Sequence, residues 1–451
     1  MNTLLFDPAD VLFFKDGRPM SGSLAGNGAA WPLPTVTNAA LHAALHRAGL
    51  TGVHPHVPGR SSQKRDYSEE NRQKNGRLFG SLQTAGPFPV CTNGKAPTWF
   101  FPRPLDAGIP DATTPSLLPL ATGLDHSHSS LAKPLHFAVA STRPVTKDQP
   151  KPWWSADAWI AYLGATPRDA DTGRILFKSD AEFANTESTF GIGIDPATNT
   201  QDGERFYSAH YLRLREGWRL GCFAEAPDKD FRGENGNSDL VKAVFPNSGT
   251  QTPVIVGGQQ RVCTVIRQSG GTSPLPLPIG IKTGFKAASG KHLVKWVLLT
   301  PAIFPKIGDH PGGWLPSWVD TAGKVQLLDG PGKNAAKRRK VPEGKPIAAT
   351  LVASITGKPI PVTGYALPNE FDPDRQDGGP KSTHLSVPAG SVYYFECDDE
   401  PAAKALAAAL NWHGDGDATR ICNRRSTLMG EKGFGLGVCG TWQFHDGKRP
   451  E

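Results

Sequence analysis

The sequence predicts an α+β fold with many short strands, few helices and long loops. Hydrophobic residues make up 38% of the 451 residues, which is enough to form a buried core. Glycine (50) and proline (41) together account for roughly a fifth of the chain, against about 12% in average proteins, so long connections are expected. The chain opens with a strand-like segment, a small-residue loop and an amphipathic helix, which is typical of a βαββ module.

The first strand is predicted at 4–15, LLFDPADVLFFK, where Pro8 interrupts the apolar pattern. The first helix is predicted within 31–49, WPLPTVTNAALHAALHRAG. Thr35 or Thr37 can cap this helix through its hydroxyl, and Gly49 ends it. The residues that fall on one face at helical spacing are Ala40, Leu41, Ala44, Leu45 and Ala48.

The middle of the chain divides into a loop-rich part and a strand-rich part. Residues 51–150 are polar and rich in proline, and we interpret them as insertion-like loops around short strands. A short helix at 153–163 begins at Ser155, and further strands are predicted at 187–195, 206–226 and 254–268. Glu216-Gly217 is the predicted hairpin turn within the second of these strands.

Arginine alternates with leucine along the strand segment 206–226. Arg213, Arg215 and Arg219 share one face, and the leucines occupy the other. Two interpretations stay open at this point: a solvated sheet face, or a platform for nucleic acid.

The proline-rich segment 272–278, TSPLPLP, is the predicted linker between two domains, 1–271 and 279–451. The second half has predicted strands at 292–304, 348–354 and 391–397, and an alanine-rich helix at 401–412. Between them lies a basic run of four residues, which is either a solvated tip or a grip on phosphate by charge alone: Lys337, Arg338, Arg339 and Lys340.

The second domain closes on a glycine-rich loop at 431–442, EKGFGLGVCGTW. Glycine adopts positive φ at little cost, and such a loop can present several N–H groups to an anion. Cationic residues stand in and before the loop: Arg420, Arg424, Arg425 and Lys432. The functional interpretation is a loop that holds a phosphate backbone, with Phe434 stacked on a base or anchored inward. The alternative is a glycine-interrupted last strand in which Phe434 and Trp442 are core residues.

The formal net charge of +7 and the pI of about 9.0 favour a polyanionic partner, with nucleic acid first. The six cysteines form no C-x-x-C pair, so a zinc site built on close cysteine pairs is not expected. A disulfide framework does not suit a chain of this length, so we expect a reducing cytosol. The start of the chain is not a typical signal peptide, and no stretch approaches the length of a membrane span. No cofactor motif or common catalytic motif is present, so a binding role is expected.

Seven segments in a fixed order resemble the third Cmr subunit of type III-B CRISPR effector complexes, a Cas five group member of the RAMP proteins. The segments are DVLFFKDGRP (10–19), WPLPTVTNAALHAAL (31–45), FGIGID...GERFYSAHYLRL (190–214), VGGQQR (256–261), LLTPAIF (298–304), VPAGSVYYFE (387–396) and GEKGFGLGVCGTW (430–442). The chain departs from the expected pattern at Gln259-Gln260, where an acidic residue often follows the glycine pair.

This resemblance implies two ferredoxin-like (RRM-type) βαββαβ domains with large loop insertions. It also implies a non-catalytic subunit that caps one end of the effector, beside the large polymerase-like Cas subunit and the first backbone RAMP subunit. There the family holds the 5′ handle of the CRISPR RNA (crRNA). The RAMP signature matches at Gly433, Phe434, Gly435 and Gly437.

We extend the predicted RNA-binding set beyond that signature to the cations of the neighbouring and basic segments. These are Lys15, Arg18, Arg213, Arg338, Arg339, Arg424, Arg425 and Lys432. The alternative function is a Cas six-like, metal-independent endoribonuclease that processes precursor crRNA, because such enzymes share the fold and the glycine-rich loop.

Overall fold

The computed structural model describes residues 1–15, 24–26, 31–50, 81–94, 96–123, 135–144, 147–164, 175–227, 238–246, 249–270, 273–275, 279–328, 345–366, 379–416 and 418–445. Within these ranges the protein is a mixed α and β structure in which strands predominate. The strands are β1 (Asn2–Pro8), β2 (Leu24–Gly26), β3 (Gln83–Cys91), β4 (Thr98–Pro102), β5 (Leu117–Gly123), β6 (Phe137–Ser141), β7 (Trp153–Ser155), β8 (Phe177–Lys178), β9 (Ala184–Ile194), β10 (Gln201–Leu214), β11 (Trp218–Glu225), β12 (Gln251–Ile255), β13 (Val262–Arg267), β14 (Ala287–Ala288), β15 (Lys291–Leu298), β16 (Ala349–Ile355), β17 (Ile360–Val362), β18 (Tyr365–Ala366), β19 (Gly379–Pro380), β20 (His384–Ser386), β21 (Val392–Cys397) and β22 (Gly437–Thr441). The helices are α1 (Pro34–Arg47), α2 (Ala156–Tyr162), α3 (Leu240–Val244), α4 (Ile279–Thr283) and α5 (Glu400–Leu410).

The chain packs as two compact units that interleave along the sequence. Unit 1 comprises Met1–Pro97, Asp180–Gly271 and Ile360–Leu385, and unit 2 comprises Thr98–Ser179, Thr272–Pro359 and Ser386–Glu451. One boundary of this grouping falls at 271/272, at the start of the predicted linker. Residues 98–179 belong to unit 2 and residues 360–385 to unit 1, which differs from a single division of the chain at the linker. The division into domains 1–271 and 279–451 stays a prediction.

Unit 1 contains an antiparallel sheet in the order β12-β13-β1-β11-β3. Four of these strands lie side by side in the order β13-β1-β11-β3. Numbered by their place along the chain, they are the fourth, first, third and second strands. Helix α1 lies between β1 and β3 in sequence, and α3 lies between β11 and β13. Leu4, Phe6, Phe88 and Phe223 are fully buried on these strands, which places the core at the centre of the sheet.

The first helix confirms the prediction in position but not in its N-terminal cap. Helix α1 begins at Pro34, and Leu33 at the cap makes no side-chain hydrogen bond to it. Thr37 lies inside the helix, where its hydroxyl donates to the Pro34 carbonyl at 3.3 Å. Proline starts a helix well because its φ is already helical and it has no N–H to satisfy, so the threonine cap is wrong. Gly49 follows the end of the helix at φ +71°, as predicted.

The predicted hairpin at Glu216-Gly217 is wrong. Strand β10 pairs antiparallel with β9 and parallel with β2, whereas β11 pairs with β1 and β3. The chain changes sheets at this turn, where Gly217 has a φ of +76°. A Cβ on Gly217 would lie 1.7 Å from the Asn93 side chain, so the glycine permits a close approach rather than a hairpin.

Unit 2 contains a second antiparallel sheet in the order β22-β15-β21-β16, and β14 pairs with the start of β15. In chain order these are the fourth, first, third and second strands. Helix α5 lies between β21 and β22 in sequence and packs on the sheet through the buried Leu406 and Leu410. Asp399 caps this helix by accepting from the Ala402 N–H at 2.8 Å.

Two predictions about the middle of the chain need correction. The strand predicted at 292–304 spans Lys291–Leu298, and 299–304 continues only through isolated bridges. Within the predicted linker, Ser273 and Leu275 are fully buried, and the Ser273 N–H donates to the Ala418 carbonyl at 2.9 Å, so this part of the segment is packed against unit 2. Within 51–150, interpreted as insertion-like loops around short strands, β3 pairs with β11 in the unit 1 sheet, and the interpretation of the region as an insertion stays a prediction.

Unit 2 buries a charged pair and two tyrosines in its core. The Lys295 Nζ lies 2.8 Å from the Asp106 Oδ2 and 3.9 Å from the centroid of the Tyr162 ring. The Tyr162 hydroxyl donates to Asp106 at 2.8 Å, and the Tyr394 hydroxyl donates to the Leu117 carbonyl at 3.2 Å. Burial lowers the pKa of Lys295 and raises the pKa of both tyrosines. The Asp106 carboxylate is therefore the group that holds the ammonium in this core.

Candidate nucleic-acid interface

The glycines of the 431–442 loop allow close packing inside unit 2. Gly433 and Gly435 have φ angles of +92° and +73°, which side chains rarely adopt. A Cβ on Gly435 would lie 2.0 Å from the Ser426 nitrogen, and one on Gly437 would lie 2.1 Å from the Trp296 Nε1. The backbone thus passes against neighbouring segments where no side chain fits.

The N–H groups of this loop donate to protein acceptors. The Gly433 N–H donates to the Gly430 carbonyl at 3.1 Å, and the Phe434 N–H to the Met429 carbonyl at 3.3 Å. The Gly435 N–H donates to the Pro301 carbonyl at 2.8 Å. The Leu436 N–H donates to the Thr300 hydroxyl at 3.0 Å. The interpretation of these positions as an amide cradle open to an anion is wrong for this structure.

Phe434 is fully buried, as are its neighbour Leu436 and, nearly so, Trp442. Of the two roles considered for the ring, the structure has the inward anchor and leaves no face for a base. At the start of this loop Glu431 is exposed and Lys432 is half-buried, and near its end Thr441 is half-buried. RNA binding by the loop stays a prediction.

The arginines before the loop have different surroundings. Arg420 is exposed and Arg424 is half-buried. The Arg425 Nε donates to the Ala409 carbonyl at 2.5 Å, and its Nη2 donates to the Asn423 Oδ1 at 2.8 Å. Burial lowers the pKa of Arg425 to about 10. Arg425 therefore ties α5 to the segment before the loop, while Arg420 is the exposed cation and Arg424 and Lys432 are half-buried.

The predicted basic face in unit 1 is largely neutralised by carboxylates. The Arg213 Nη2 lies 2.9 Å from the Asp10 Oδ1, and its Nε is hydrogen-bonded to Glu187, which raises the pKa of the guanidinium. The Arg219 Nη2 lies 2.8 Å from the Asp7 Oδ2. Because these partners lie about 200 residues away or on a neighbouring strand, the alternation of arginine and leucine did not reveal them.

Of the remaining predicted cations, Lys15 lies within the described residues. Lys15 is exposed at the end of the first described segment. Arg18, Arg338 and Arg339 lie outside the described residues. Their RNA contacts stay predictions.

Sequence reasoning missed a cluster in unit 1 that joins three separate segments. The Phe13 and Tyr211 rings lie 5.6 Å apart, and the Arg261 guanidinium lies 5.1 Å from the Tyr211 ring centroid. The Arg261 Nη2 donates to the Gln259 Oε1 at 3.2 Å. The signal was present, because these residues fall in three of the seven segments that carry the family resemblance.

The described ranges contain neither a metal-binding cluster nor a membrane-spanning helix. No group of three or more His, Cys, Asp or Glu residues there is arranged to hold a metal ion. No helix in the same ranges is long and apolar enough to cross a membrane. All six cysteines are free.

A model of the family described as CRISPR-associated protein (Cas_Cmr3) matches residues 4–442, nearly the whole chain. The chain belongs to this family. The match confirms the resemblance to the third Cmr subunit of type III-B CRISPR effectors. No curated protein matches the chain significantly.

Solved structures show distant similarity. A chain of a type III-B Cmr-beta complex bound to cognate target RNA and AMPPnP is 14% identical, covers 87% of this chain and 86% of its own length, and has a TM-score of 0.37. The same complex bound to cognate target RNA gives 13% identity, coverage of 87% and 86%, and a TM-score of 0.34. A chain of the Csm3–Csm4 subcomplex of the type III-A interference complex is 10% identical, covers 87% of this chain and 92% of its own length, and has a TM-score of 0.30.

Proposed function

We propose that this chain is a non-catalytic subunit of a type III-B Cmr effector in antiviral defence, and that it binds the 5′ handle of the crRNA. The observation that carries the proposal is membership of the Cmr3 family over residues 4–442. The net charge of +7 suits a polyanionic ligand. The proposed partners are the large polymerase-like Cas subunit and the backbone RAMP subunit at one end of the complex. The proposed location is the cytoplasm.

We further propose that both units are ferredoxin-like βαββαβ domains and that the C-terminal glycine-rich loop is the RAMP loop. The support is the shared antiparallel strand order, which is fourth, first, third, second in each sheet. A helix precedes the fourth strand in both units: α3 before β12 and β13, and α5 before β22. In unit 2 the long connection from β15 to β16 replaces the first helix with isolated bridges in its described part.

The accessible cations beside the glycine-rich loop give the first test. Handle-bearing guide RNA and an RNA of equal length without the handle are titrated into the full chain, with affinity measured by fluorescence anisotropy at several salt concentrations. Lys432→Ala and Arg424→Ala are each expected to lower affinity for the handle-bearing RNA and to reduce its salt slope by about 1, because each removes one phosphate contact. Lys282→Ala is the matched control, since Lys282 is an exposed lysine of the same unit.

Equal affinity of the unmodified chain for both RNAs would count against handle recognition. Incubation with precursor repeat RNA tests the non-catalytic role in the same preparation. Site-specific cleavage without added metal, lost on substitution of a single histidine, would replace this proposal by the endoribonuclease.

A further inference from the structure

The Phe13, Tyr211, Gln259 and Arg261 cluster is an ordered surface feature rather than a chance contact. The Gly258 N–H donates to the Phe13 carbonyl at 2.9 Å, which fixes the 256–261 turn against the first segment of the chain. The Gln259 Oε1 accepts from the Arg261 Nη2, and hydrogen bonds to the Tyr211 hydroxyl from Gln259 first, then Thr189 and Arg261, lower the pKa of Tyr211. Gln259 thus holds the arginine plane over the tyrosine ring.

The turn that presents this stack is built at a conformational cost. Gln259 and Gln260 both have positive φ angles, +55° and +52°, and both side chains are exposed. They occupy the two central positions of a tight turn in which the Arg261 N–H lies 3.4 Å from the Gly258 carbonyl. Such turns strongly favour Asn-Gly or Gly-Gly, because both central residues are left-handed. Backbone strain of this kind concentrates at functional sites.

A second turn in the chain shows the usual solution. Between β14 and β15, Ser289 and Gly290 have φ angles of +47° and +76°, so glycine fills the second position. The glutamine pair keeps two amide side chains at the surface where a turn alone needs neither.

The charges around the stack favour a base over a phosphate. Asp10 and Glu187 pair with Arg213, and Asp10 also lies 3.7 Å from Arg261. A phosphate here would meet two carboxylates. An unpaired base carries no charge, stacks on aromatic rings and arginine planes, and is read through hydrogen bonds to its edge.

We propose that the Tyr211–Arg261 stack binds one unpaired base of single-stranded RNA and that Gln260 hydrogen-bonds the edge of that base. Phe13 supports the Tyr211 ring, and Gln259 is a positioning residue. The inference rests on the proposed function, because the RNA in question is the guide that this chain is proposed to hold.

The test combines a protein variant with a change in the RNA. Handle-bearing guide RNAs, each with one abasic position, are titrated into the full chain and into Tyr211→Ala. The unmodified chain is expected to lose affinity by about tenfold at one handle position, since a stacked base contributes about that much. Tyr211→Ala is expected to lose a similar factor on intact RNA but nothing further at that same abasic position, with an unchanged salt slope. Tyr211→Phe keeps the ring and is expected to retain the stack.

Gln260→Gly provides a second variant that is expected to stay folded, because glycine suits the left-handed position. Its affinity for the intact handle is expected to fall while its melting temperature does not fall. Ser289→Gly is the matched control at the second turn and is expected to leave RNA affinity unchanged.

The outcomes separate the inference from the proposed function. In one outcome the unmodified chain prefers handle-bearing RNA while the loss of affinity at each abasic position is the same in Tyr211→Ala. That result would overturn the inference and leave the proposed function standing. If Tyr211→Ala keeps its RNA affinity but co-purifies less of the other Cmr subunits, the stack is a protein contact. That result would also overturn the inference. Failure of the unmodified chain to prefer handle-bearing RNA would overturn both.

Discussion

The two sheets of this chain are entered at their fourth strand by segments of opposite character. In unit 2 the glycine-rich loop leads into β22, and in unit 1 the VGGQQR turn leads into β13. The first segment buries Phe434 and uses its N–H groups within the protein, whereas the second exposes Gln259 and Gln260. Glycine enrichment marks the site of tightest packing here, and the strained non-glycine residues mark the accessible surface.

The largest expected effect comes from filling the tightest glycine position. Gly435→Val is expected to destabilise unit 2 by about 5 kcal/mol, since it adds overpacking to an unfavourable φ. The Cβ would lie 2.0 Å from the Ser426 nitrogen. Thermal or denaturant unfolding of the full chain measures this loss.

Gly164→Ala is the control for the φ contribution alone, because Gly164 has a φ of +78° and nothing within 4 Å of its Cβ position. It is expected to cost about 1–2 kcal/mol. Similar losses in Gly435→Val and Gly164→Ala would show that the loop yields to a side chain, and the contrast between the two segments would then fail.

The next largest effect extends the comparison of a buried segment of unit 2 with an exposed segment of unit 1 to charged side chains. Asp106→Ala is expected to cost about 3–5 kcal/mol, because it leaves the Lys295 ammonium unpaired inside unit 2. Arg213, 43% exposed at its side chain beside Asp10, serves as the comparison, and Arg213→Ala is expected to destabilise the chain far less, because solvent screens an exposed ion pair. The measurement is denaturant unfolding of both variants at neutral pH.

The double variant Asp106→Asn, Lys295→Met removes both charges, keeps an amide oxygen that can accept from the Tyr162 hydroxyl, and is expected to recover most of the stability lost in Asp106→Ala. If the double variant is as unstable as the single one, the charged pair itself contributes to stability and the explanation by an unpaired charge is wrong.

Local sequence patterns predicted the elements whose causes are local. Helix α2 begins at Ser155, whose hydroxyl accepts from the Ala158 N–H at 3.3 Å, as predicted. The predicted helix at 401–412 is observed at Glu400–Leu410. Capping residues, alanine content and apolar spacing act within a few residues, so one sequence is enough to locate them.

The candidate sites depended on partners that are distant in sequence. Asp10 and Arg213 are an ion pair across about 200 residues, and Tyr211 meets Arg261 across about 50. The pattern of arginines predicted a basic face because it contains no information about the carboxylates opposite. The glycine pattern likewise indicated backbone freedom without showing whether packing or a ligand requires it.

The smallest expected effect concerns the strained turn of unit 1. Gln260→Gly is expected to stabilise the chain by about 0.5 kcal/mol, because release of the left-handed strain at φ +52° exceeds the entropy that glycine adds to the unfolded chain. Ser289→Gly at φ +47° is expected to give a similar gain. Differential scanning calorimetry of the two variants compares them directly. A loss of stability in Gln260→Gly alone would show that this side chain stabilises the folded chain, and the strain would then have a structural rather than a binding origin.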